Sequence, residues 1–579
     1  MLWIQEWHLN YDKDAPHPMN LENGRLGTGK GMPVLVIDNL SVQVVGGLRA
    51  RHVVQNVSFD VWPREMLCLV GESGSGKSVT ALSVMGLLQR GSLTPSSGII
   101  LVDGENILTA SQKRLQELRA TRMAMVFQEP MTALNPVEPV GKQIDEVLCL
   151  HTKLTKIERR AKVLAMLDSV HLPDVKRIYD AYPHQLSGGQ RQRIMLSMAL
   201  ILEPKLLIAD EPTTALDVTT QKQILSLIRE LQEDHNTAVM FISHDFGVVS
   251  EIADRIVVMN RGRVVESGER EDILVRPREP YTRTLISSVP SLTPKKREVP
   301  TGEIILDVTA LNKTYAEKRM FGGGRTVAAA KEVNLTIRRG EIVGVVGESG
   351  SGKSTVARCI LRLIDPTSGV IRIKGFDIAQ AARHELRPLR QRIQIVFQDP
   401  YRSLNPRRRV ADSIVEGLIN FGVPREQALA KARELLPVVG LHPDVMQRYP
   451  HQFSGGQRQR ICIARALALE PDVLVADEPV SALDVTVQAQ VLKLLEEIRE
   501  RTGIAVLFIT HDLRVAAQIC DTIVVMQNGH IVEAGPAETV LTAPQQEYTR
   551  TLIDAAPGRH WDFQNFRPAH MNKPAMFVH

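Results

Sequence analysis

Cysteine is scarce in this chain of 579 residues, aromatic residues make up only 4% of it, and no apolar run approaches the roughly 18 residues a membrane-spanning helix requires. The chain is therefore not expected to cross a bilayer by itself. Its five cysteines, Cys68, Cys149, Cys359, Cys462 and Cys520, are odd in number, and the closest two lie 58 residues apart. That excludes the short spacings of zinc and CxxC redox sites and fits a reducing compartment. An excess of one charge is missing too, since 70 Lys and Arg against 65 Asp and Glu leave a formal charge of +5. No basic face of the kind a dedicated nucleic-acid binder carries is expected. The opening "MLWIQEWHLNYDKDAPHP" has acids early and lacks an apolar core of signal-peptide length, so the expected location is the cytosol.

What the chain does have is a near-complete internal repeat, which sets the architecture. The stretch "GESGSGKS" occurs at Gly71 to Ser78 and again, letter for letter, at Gly347 to Ser354. The order of landmarks after it is the same in both halves: "VFQEP" or "VFQDP", "LSGGQRQR" or "FSGGQRQR", "LLIADEP" or "VLVADEP", and "FISHD" or "FITHD". Twenty-three residues separate Ser187 from Asp210 and Ser454 from Asp477, and 34 separate Asp210 from His244 and Asp477 from His511. Only the early gap differs, 51 residues from Lys77 to Gln128 against 45 from Lys353 to Gln398, as a loop insertion in one copy would give. The chain divides into a leading tail 1–32, one copy at 33–288, a linker 289–302, a second copy at 303–556 and a trailing tail 557–579. A 14-residue linker reaches at most about 50 Å, and each copy has a radius of gyration near 18 Å. The copies are tethered neighbours, at roughly millimolar effective concentration.

The repeated residues point to phosphate chemistry. An apolar run precedes each "GESGSGKS" ("MLCLV", "IVGVV") and a helical pattern follows it, so the order is strand, Gly-rich loop, helix. Such a loop turns its backbone N–H groups and a helix N-terminus toward phosphate oxygens. It comprises Gly71, Glu72, Ser73, Gly74, Ser75 and Gly76, and Gly347, Glu348, Ser349, Gly350, Ser351 and Gly352 in the second copy. Lys77 and Lys353 supply charge toward the terminal phosphates, and the hydroxyls of Ser78 and Ser354 are suited to Mg²⁺. "LLIADEP" and "VLVADEP" read as buried strands delivering acids at their C-terminal edge, where open α/β sheets bind ligands. Asp210 and Asp477 would hold Mg²⁺ through water, and Glu211 and Glu478 would orient or polarise the water that attacks the γ-phosphate. Gln128 and Gln398 stand at a strand exit, within amide reach of the metal or the water. A lone histidine is ordinarily structural, but the equal offsets of His244 and His511 from the acids argue for contact with the γ-phosphate. "SGGQ" opens a helix in each copy, giving a second anion-binding N-terminus at Ser187, Gly188, Gly189 and Gln190 and at Ser454, Gly455, Gly456 and Gln457. One nucleotide does not need two such cradles from one domain.

With these residues in place, the sequence resembles the ATP-binding-cassette family over about 520 residues: "GESGSGKS" looks like Walker A, "LSGGQ" and "FSGGQ" like the signature, and "LLIADE" and "VLVADE" like Walker B. The resemblance implies an α/β fold of two tandem P-loop NTPase domains, each with a RecA-like core, an antiparallel β subdomain and a helical subdomain. It implies ATP and Mg²⁺ as cofactors, and two composite sites formed head to tail. One would join Lys77, Ser78, Gln128, Asp210, Glu211 and His244 to the Ser454–Gln457 signature, and the other would join Lys353, Ser354, Gln398, Asp477, Glu478 and His511 to Ser187–Gln190. "YPHQLSGGQ", "EPYTRTLISSVP" and "QEYTRTLIDAAP" further resemble the fused double-cassette ATPases of the peptide-importer branch. That branch implies two transmembrane permease subunits, a periplasmic or extracellular solute-binding protein acting through them, no nucleic acid, and a peripheral place on the cytoplasmic face of the bacterial inner membrane. The solute stays open among peptide, glutathione, opine and others, and the grip on the permeases is expected from 129–182 and 399–449. No cysteine cluster follows Tyr281 or Tyr548, so the iron-sulfur site of some single-cassette relatives is not expected.

Two-cassette ATPases acting on ribosomes or DNA are the rival class. They use a long charged helical linker, zinc-binding cysteines or inserted coiled coils, none of which this sequence contains. The tails lack periodicity and read as disordered, with membrane-subunit contact as the sharper alternative. The run Lys295–Arg297 reads as solvated linker charge before lipid contact. One departure from the family concerns the aromatic that stacks on adenine, matched by Tyr315 in the second copy but by Val44 in the first. Base stacking is worth about 1 to 3 kcal/mol, so nucleotide binds more tightly at the Lys353 site. Nucleotide titration of the Lys77→Ala and Lys353→Ala variants checks this, the Lys353 variant being expected to retain the weaker site; equal affinities overturn it.

Overall fold

The strand "LVIDNLSVQV" buries Leu35, Ile37, Leu40 and Val42 and leaves Asn39 exposed, the near-alternation of a sheet with one face on a core. In the computed structural model, which describes residues 32–46, 51–89, 91–128, 133–214, 216–298, 300–316, 326–481 and 483–569, this strand is inside a four-stranded sheet. The spatial order is His52–Val61, Leu35–Val44, Leu93–Val102, Glu105–Asn106, and the pairs are antiparallel. The second cassette repeats it as Thr326–Arg338, Ile304–Ala316, Ser368–Ile373 and Phe376–Asp377.

The runs "MLCLV", "LLIAD" and "AVMFIS" do not alternate, and every residue in them is buried, which marks parallel strands covered on both faces. They pair in register, Met66 with Val239 and Leu206 with Ala238. Together they form the centre of a six-stranded sheet ordered Arg263–Glu269, Arg255–Asn260, Met66–Val70, Ala238–Ser243, Leu206–Asp210, Met123–Val126. Its counterpart runs Ile393–Val396, Val473–Asp477, Ala505–Ile509, Ile342–Val346, Thr522–Gln527, His530–Pro536. One face of each large sheet packs on the antiparallel sheet, the other on helices. The fold is the expected α/β pair of P-loop domains.

A helical subdomain follows the "VFQ" landmark and ends in the helix that "SGGQ" opens. Val140–His151, Lys156–Ser169 and Gly188–Leu200 form it in the first cassette, and Val410–Asn420, Arg425–Val438 and Gly455–Leu467 in the second. Val140, Ile144 and Leu148 fall on one helical face and are buried, and Thr155 with Glu158 closes a capping box at the start of the next helix.

The cassettes touch. Val218 of the first joins the core of the second, and Val485 of the second joins that of the first. Lys222 Nζ donates to the Asp554 carbonyl at 2.9 Å. Four cysteines are buried, Cys149 is exposed, and all five are free thiols. Among the described residues no helix is long and apolar enough to cross a membrane.

Two expectations give way. The run Lys295–Arg297 is exposed at Lys295 and Lys296 but docked at Arg297. Arg297 pairs with Glu496 and donates to the carbonyls of Gln518 and Ile519 at 2.6 and 2.7 Å, and Lys295 lies 3.2 Å from Glu496. The carbonyl end of helix Leu513–Ile519 and an acid beside it attract cations. The described part of the trailing tail, residues 557–569, is folded onto the first cassette: Trp561–Asp562 pairs with Arg567–Pro568, Phe563 enters the first cassette's core, and the Gly558 N–H donates to Glu251 at 3.0 Å. Its aromatics find a hydrophobic face that pattern reading could not supply. The leading tail, apart from Met32, lies outside the described residues.

Replacing Phe563 with alanine should destabilise the first cassette by about 3 kcal/mol, seen as an earlier thermal transition. Phe566→Ala, at a half-buried position on the same turn, should shift it less.

Candidate functional site

Each Gly-rich loop leaves a buried strand and enters a helix, Lys77–Val84 in the first cassette and Lys353–Ile360 in the second. Gly71 has φ of 149°, and a Cβ there would stand 2.2 Å from the Met259 carbonyl oxygen; at Gly347 the same atom would meet the Met526 carbonyl at 2.2 Å. Only glycine lets the chain turn this close to the neighbouring strand. At Gly74 and Gly350 an added Cβ would meet nothing within 4 Å, so that side of the loop faces open space. Lys77 Nζ is folded over the loop, donating to the carbonyls of Gly71 and Glu72 at 2.7 and 2.9 Å. Lys353 does the same to Gly347 and Glu348, both at 2.7 Å. Burial draws both ammonium groups below the ordinary lysine range, against the pull of Glu211 and Glu478.

The acids arrive as expected at the strand ends. Asp210 accepts from the Ser78 hydroxyl at 3.3 Å and Asp477 from Ser354 at 3.1 Å. Burial pushes both aspartates above their ordinary range, while those hydroxyls pull the other way. Glu211 and Glu478 each sit at φ 48°, a left-handed conformation that costs a non-glycine residue roughly 1 kcal/mol or more. Their N–H groups donate to Ile242 and Ile509 at 3.0 Å, which holds the turn. Gln128 Nε2 donates to Glu211 Oε2 at 2.8 Å, and His244 Nδ1 lies 3.0 Å from Oε1. In the second cassette Gln398 is 2.8 Å and His511 3.2 Å from Glu478. Burial works to raise the glutamates, yet the imidazoles, with Lys77 or Lys353 and a neighbouring hydroxyl, together hold both below the ordinary range. The same pairs hold the imidazoles above theirs despite burial.

The "SGGQ" turns have a local cause. Ser187 Oγ accepts from the Gln190 N–H at 3.2 Å and the Gln190 side chain accepts from the Ser187 N–H at 3.0 Å, a capping box. Ser454 and Gln457 repeat it at 3.4 and 3.2 Å. A cleft of 670 Å³ joins Ser73, Gly74, Gly76, Lys77, Ser78, Gln128, Glu211 and His244 of the first cassette to Arg402, Ser481, Leu483 and Asp484 of the second. Gly188 and Arg191 also line it. The Ser454–Gln457 turn is not among its walls, but an added Cβ at Gly455 would stand 3.5 Å from Leu483, which is one. Tyr315 is 42% exposed, with Lys313 Nζ 5.1 Å from its ring centroid.

This arrangement fits a magnesium nucleotide. The Ser75 hydroxyl is buried in the loop with no hydrogen-bond partner among the described residues, Lys77 and a helix N-terminus converge there, and the hard oxygen pair of Ser78 and Asp210 suits Mg²⁺.

The chain matches two family models. Residues 54–214 and 330–481 match the family model "ABC transporter", and 265–319 and 532–574 match "Oligopeptide/dipeptide transporter, C-terminal region". The glutathione import ATP-binding protein GsiA of Escherichia coli (strain K12) is 44% identical over 94% of this chain and 91% of its own length. The peptidoglycan transport ATP-binding protein YejF of Agrobacterium fabrum is 44% identical over 90% of this chain and 96% of its own. The solved dimeric structure of MJ0796, a bacterial ABC transporter cassette, is 28% identical and covers 41% of this chain and 98% of that one, at a TM-score of 0.37.

Sequence reading missed several residues. Thr214 donates to Glu211 at 3.1 Å. Asp484 and Asp217, in the repeated "ALD", place charge near the lysine of the opposite cassette. The "YT" tyrosines, within the second matched region, reach the phosphate loops: Glu72 N–H donates to Tyr281 Oη at 3.3 Å and Glu348 N–H to Tyr548 Oη at 3.1 Å. Burial pushes both phenols up to about 12. The repeated motif was the available signal; its target, about 200 residues away, was not.

Tyr281→Phe combined with Tyr548→Phe removes the acceptor of one loop N–H in each cassette, a loss of about 1 kcal/mol. The expected outcome is a several-fold rise in KM for ATP at little-changed kcat, measured by steady-state hydrolysis, with a thermal transition lowered by no more than about 2 to 4 °C.

Proposed function

The chain belongs to the ABC transporter family and is an ATPase that energises a peptide-type importer, and from that premise we propose how its residues divide the work. Glu211 and Glu478 hold and polarise the attacking water, each with one carboxylate oxygen fixed by Gln128 or Gln398 and the other by His244 or His511. Two donors on one carboxylate leave little freedom to rotate, so the water is aimed before the barrier is climbed. Ser78 with Asp210, and Ser354 with Asp477, would hold Mg²⁺, Gln128 and Gln398 completing the set. When bound, the ion neutralises charge on the phosphates. The loop N–H groups and Lys77 or Lys353 hold the phosphate oxygens.

Each site is composite in this reading. The single observation that carries it is the cleft that joins Lys77 to Ser481, Leu483 and Asp484 of the other cassette, with Gly455 against Leu483. Closure then seats Ser454–Gln457 on nucleotide held by Lys77, and Ser187–Gln190 on nucleotide held by Lys353. Tyr315 stacks on adenine at the second site, and Val44 does not at the first. Hydrolysis releases the halves, and membrane subunits gripped at 129–182 and 399–449 are driven between two states. We assign two permease subunits as partners, a solute-binding protein acting through them, and the cytoplasmic face of the membrane as location. Similarity to glutathione and peptidoglycan transport proteins supports a peptide or similar small solute. The ribosome- or DNA-acting alternative is not favoured.

The test is reconstitution of the chain with its candidate permeases in liposomes, measuring ATP hydrolysis as solute-loaded binding protein is added. Stimulation is expected, and Glu211→Gln with Glu478→Gln should lower the rate at least about a hundredfold. A rate indifferent to the membrane partners but raised by ribosomes or DNA overturns the transport reading.

A further inference from the structure

The two histidine turns, "HDFG" in the first cassette and "HDLR" in the second, differ at two positions: one exchanges Phe246 for Leu513, both apolar, and the other sets Gly247 against Arg514. Asp245 and Asp512 follow the site histidines and cap the next helices, each accepting the N–H two residues on at 2.8 Å. Among the described residues, Arg514 is the side chain that donates to both acids. Its Nη1 and Nη2 donate to Asp245 of the other cassette at 3.1 and 2.7 Å, and its Nε and Nη2 to Asp512 at 3.2 and 3.1 Å. The guanidinium is buried, its side chain 8% exposed. Gly247, which occupies the matching place in the first cassette, is what lets it in: a Cβ there would stand 2.2 Å from Arg514 Nη1. Two symmetric arginines would not fit, and two symmetric glycines would leave two buried carboxylates unmatched, a costly state.

The contact lies on the path between the catalytic groups. A cavity of 110 Å³ is walled by His244, Asp245, Glu478, His511, Asp512 and Arg514, so both histidine turns face one small space. Each histidine in turn bonds its own glutamate. A displacement of either turn must stretch a forked, desolvated ion pair shared with the other, and such pairs are strong and geometrically specific. We propose that Arg514 is a positioning residue that couples the two ATP sites, one guanidinium tying the histidine turn of each cassette to that of the other. This rests on the reading of the chain as a two-site ATPase.

The experiment measures ATP hydrolysis by the full chain as a function of ATP concentration, with and without Glu478→Gln, in the unmutated, Arg514→Ala, Arg514→Lys and swapped Arg514→Gly/Gly247→Arg backgrounds. With Arg514 present, the Hill coefficient should exceed 1 and approach about 2, the limit for two sites, and Glu478→Gln should remove far more than half the rate. In Arg514→Ala the coefficient should fall to about 1 or below, as for two independent sites of unequal affinity, and Glu478→Gln should remove only about half of what remains at saturating ATP. Arg514→Lys keeps charge and bulk without the fork; it should lose the coupling as well, and carries the test if the alanine variant unfolds. The swap, which returns one guanidinium to the same pair of acids, should restore part of the coupling, which a purely structural role does not predict. Coupling that is the same in the lysine and alanine backgrounds as in the unmutated chain overturns the inference while leaving the ATPase reading intact. An unmutated chain that hydrolyses no ATP overturns that reading, and this inference with it.

Discussion

A buried carboxylate must be met by donors, and in each cassette that requirement at one strand end organises what surrounds it. Asp210 and Glu211 leave a strand that is buried along its whole length, so neither can find its partners in bulk water. Ser78 comes from the phosphate loop, Gln128 from the strand at the sheet edge, and His244 from the central strand next door. Each partner lies at the C-terminal end of its own segment because parallel strands deliver their ends to one edge. The chemistry and the fold are therefore one arrangement. The left-handed φ of Glu211 and Glu478 is the local strain through which the edge points a carboxylate at its donors rather than back into the sheet.

Duplication repeats this arrangement closely, and the departures fall where the copies meet something else. Glu211 takes a hydrogen bond from Thr214, whereas Ser481, at the matching place, bonds the Glu478 carbonyl oxygen. Arg402 reaches the Lys77 cleft, and its counterpart in the first copy is Thr132. Gly247 and Arg514 are the sharpest case, since the pair makes sense only at a contact between the copies. A homodimer would present the same residue twice at its axis. A fused chain can place a cation on one side and a gap on the other, and so match two acids with a single buried charge.

How much of this could be read from the letters depends on the range of the interaction. Strands such as "MLCLV" and "AVMFIS" were legible because burial on both faces leaves no polar positions, and the loops, acids and histidines were legible because their spacing recurs. The "SGGQ" capping box needed only a serine and a glutamine three residues apart, although its first reading was as an anion site. Tyr281 was visible as a motif but not as a partner of the Glu72 N–H, because the contact spans 209 residues. The docking of Arg297, the ordered turn around Phe563 and the Arg514 pair were illegible for the same reason. Each depends on a surface that exists only once both cassettes are folded and adjacent.

That set of late contacts has a mechanical consequence. Arg514 with Asp245, Gly558 with Glu251, Gln518 with the Ser291 carbonyl at 3.0 Å, and the exchanged Val218 and Val485 all hold the cassettes at the base of the histidine turns and the helices that follow the "ALD" segments. The linker and the trailing turn pack at the same place, Pro290 and Pro557 both lining the small cavity beside Arg514. The cleft at Lys77, in contrast, is an open space of 670 Å³ with loops on both walls. The interface is thus packed on one side and open on the other. Under the proposed reading, a closing movement would become a rotation about the packed contacts, carrying the loops of one cassette toward those of its neighbour. An interface with no such packed line would let the halves slide or part, and the work of hydrolysis would disperse among those motions.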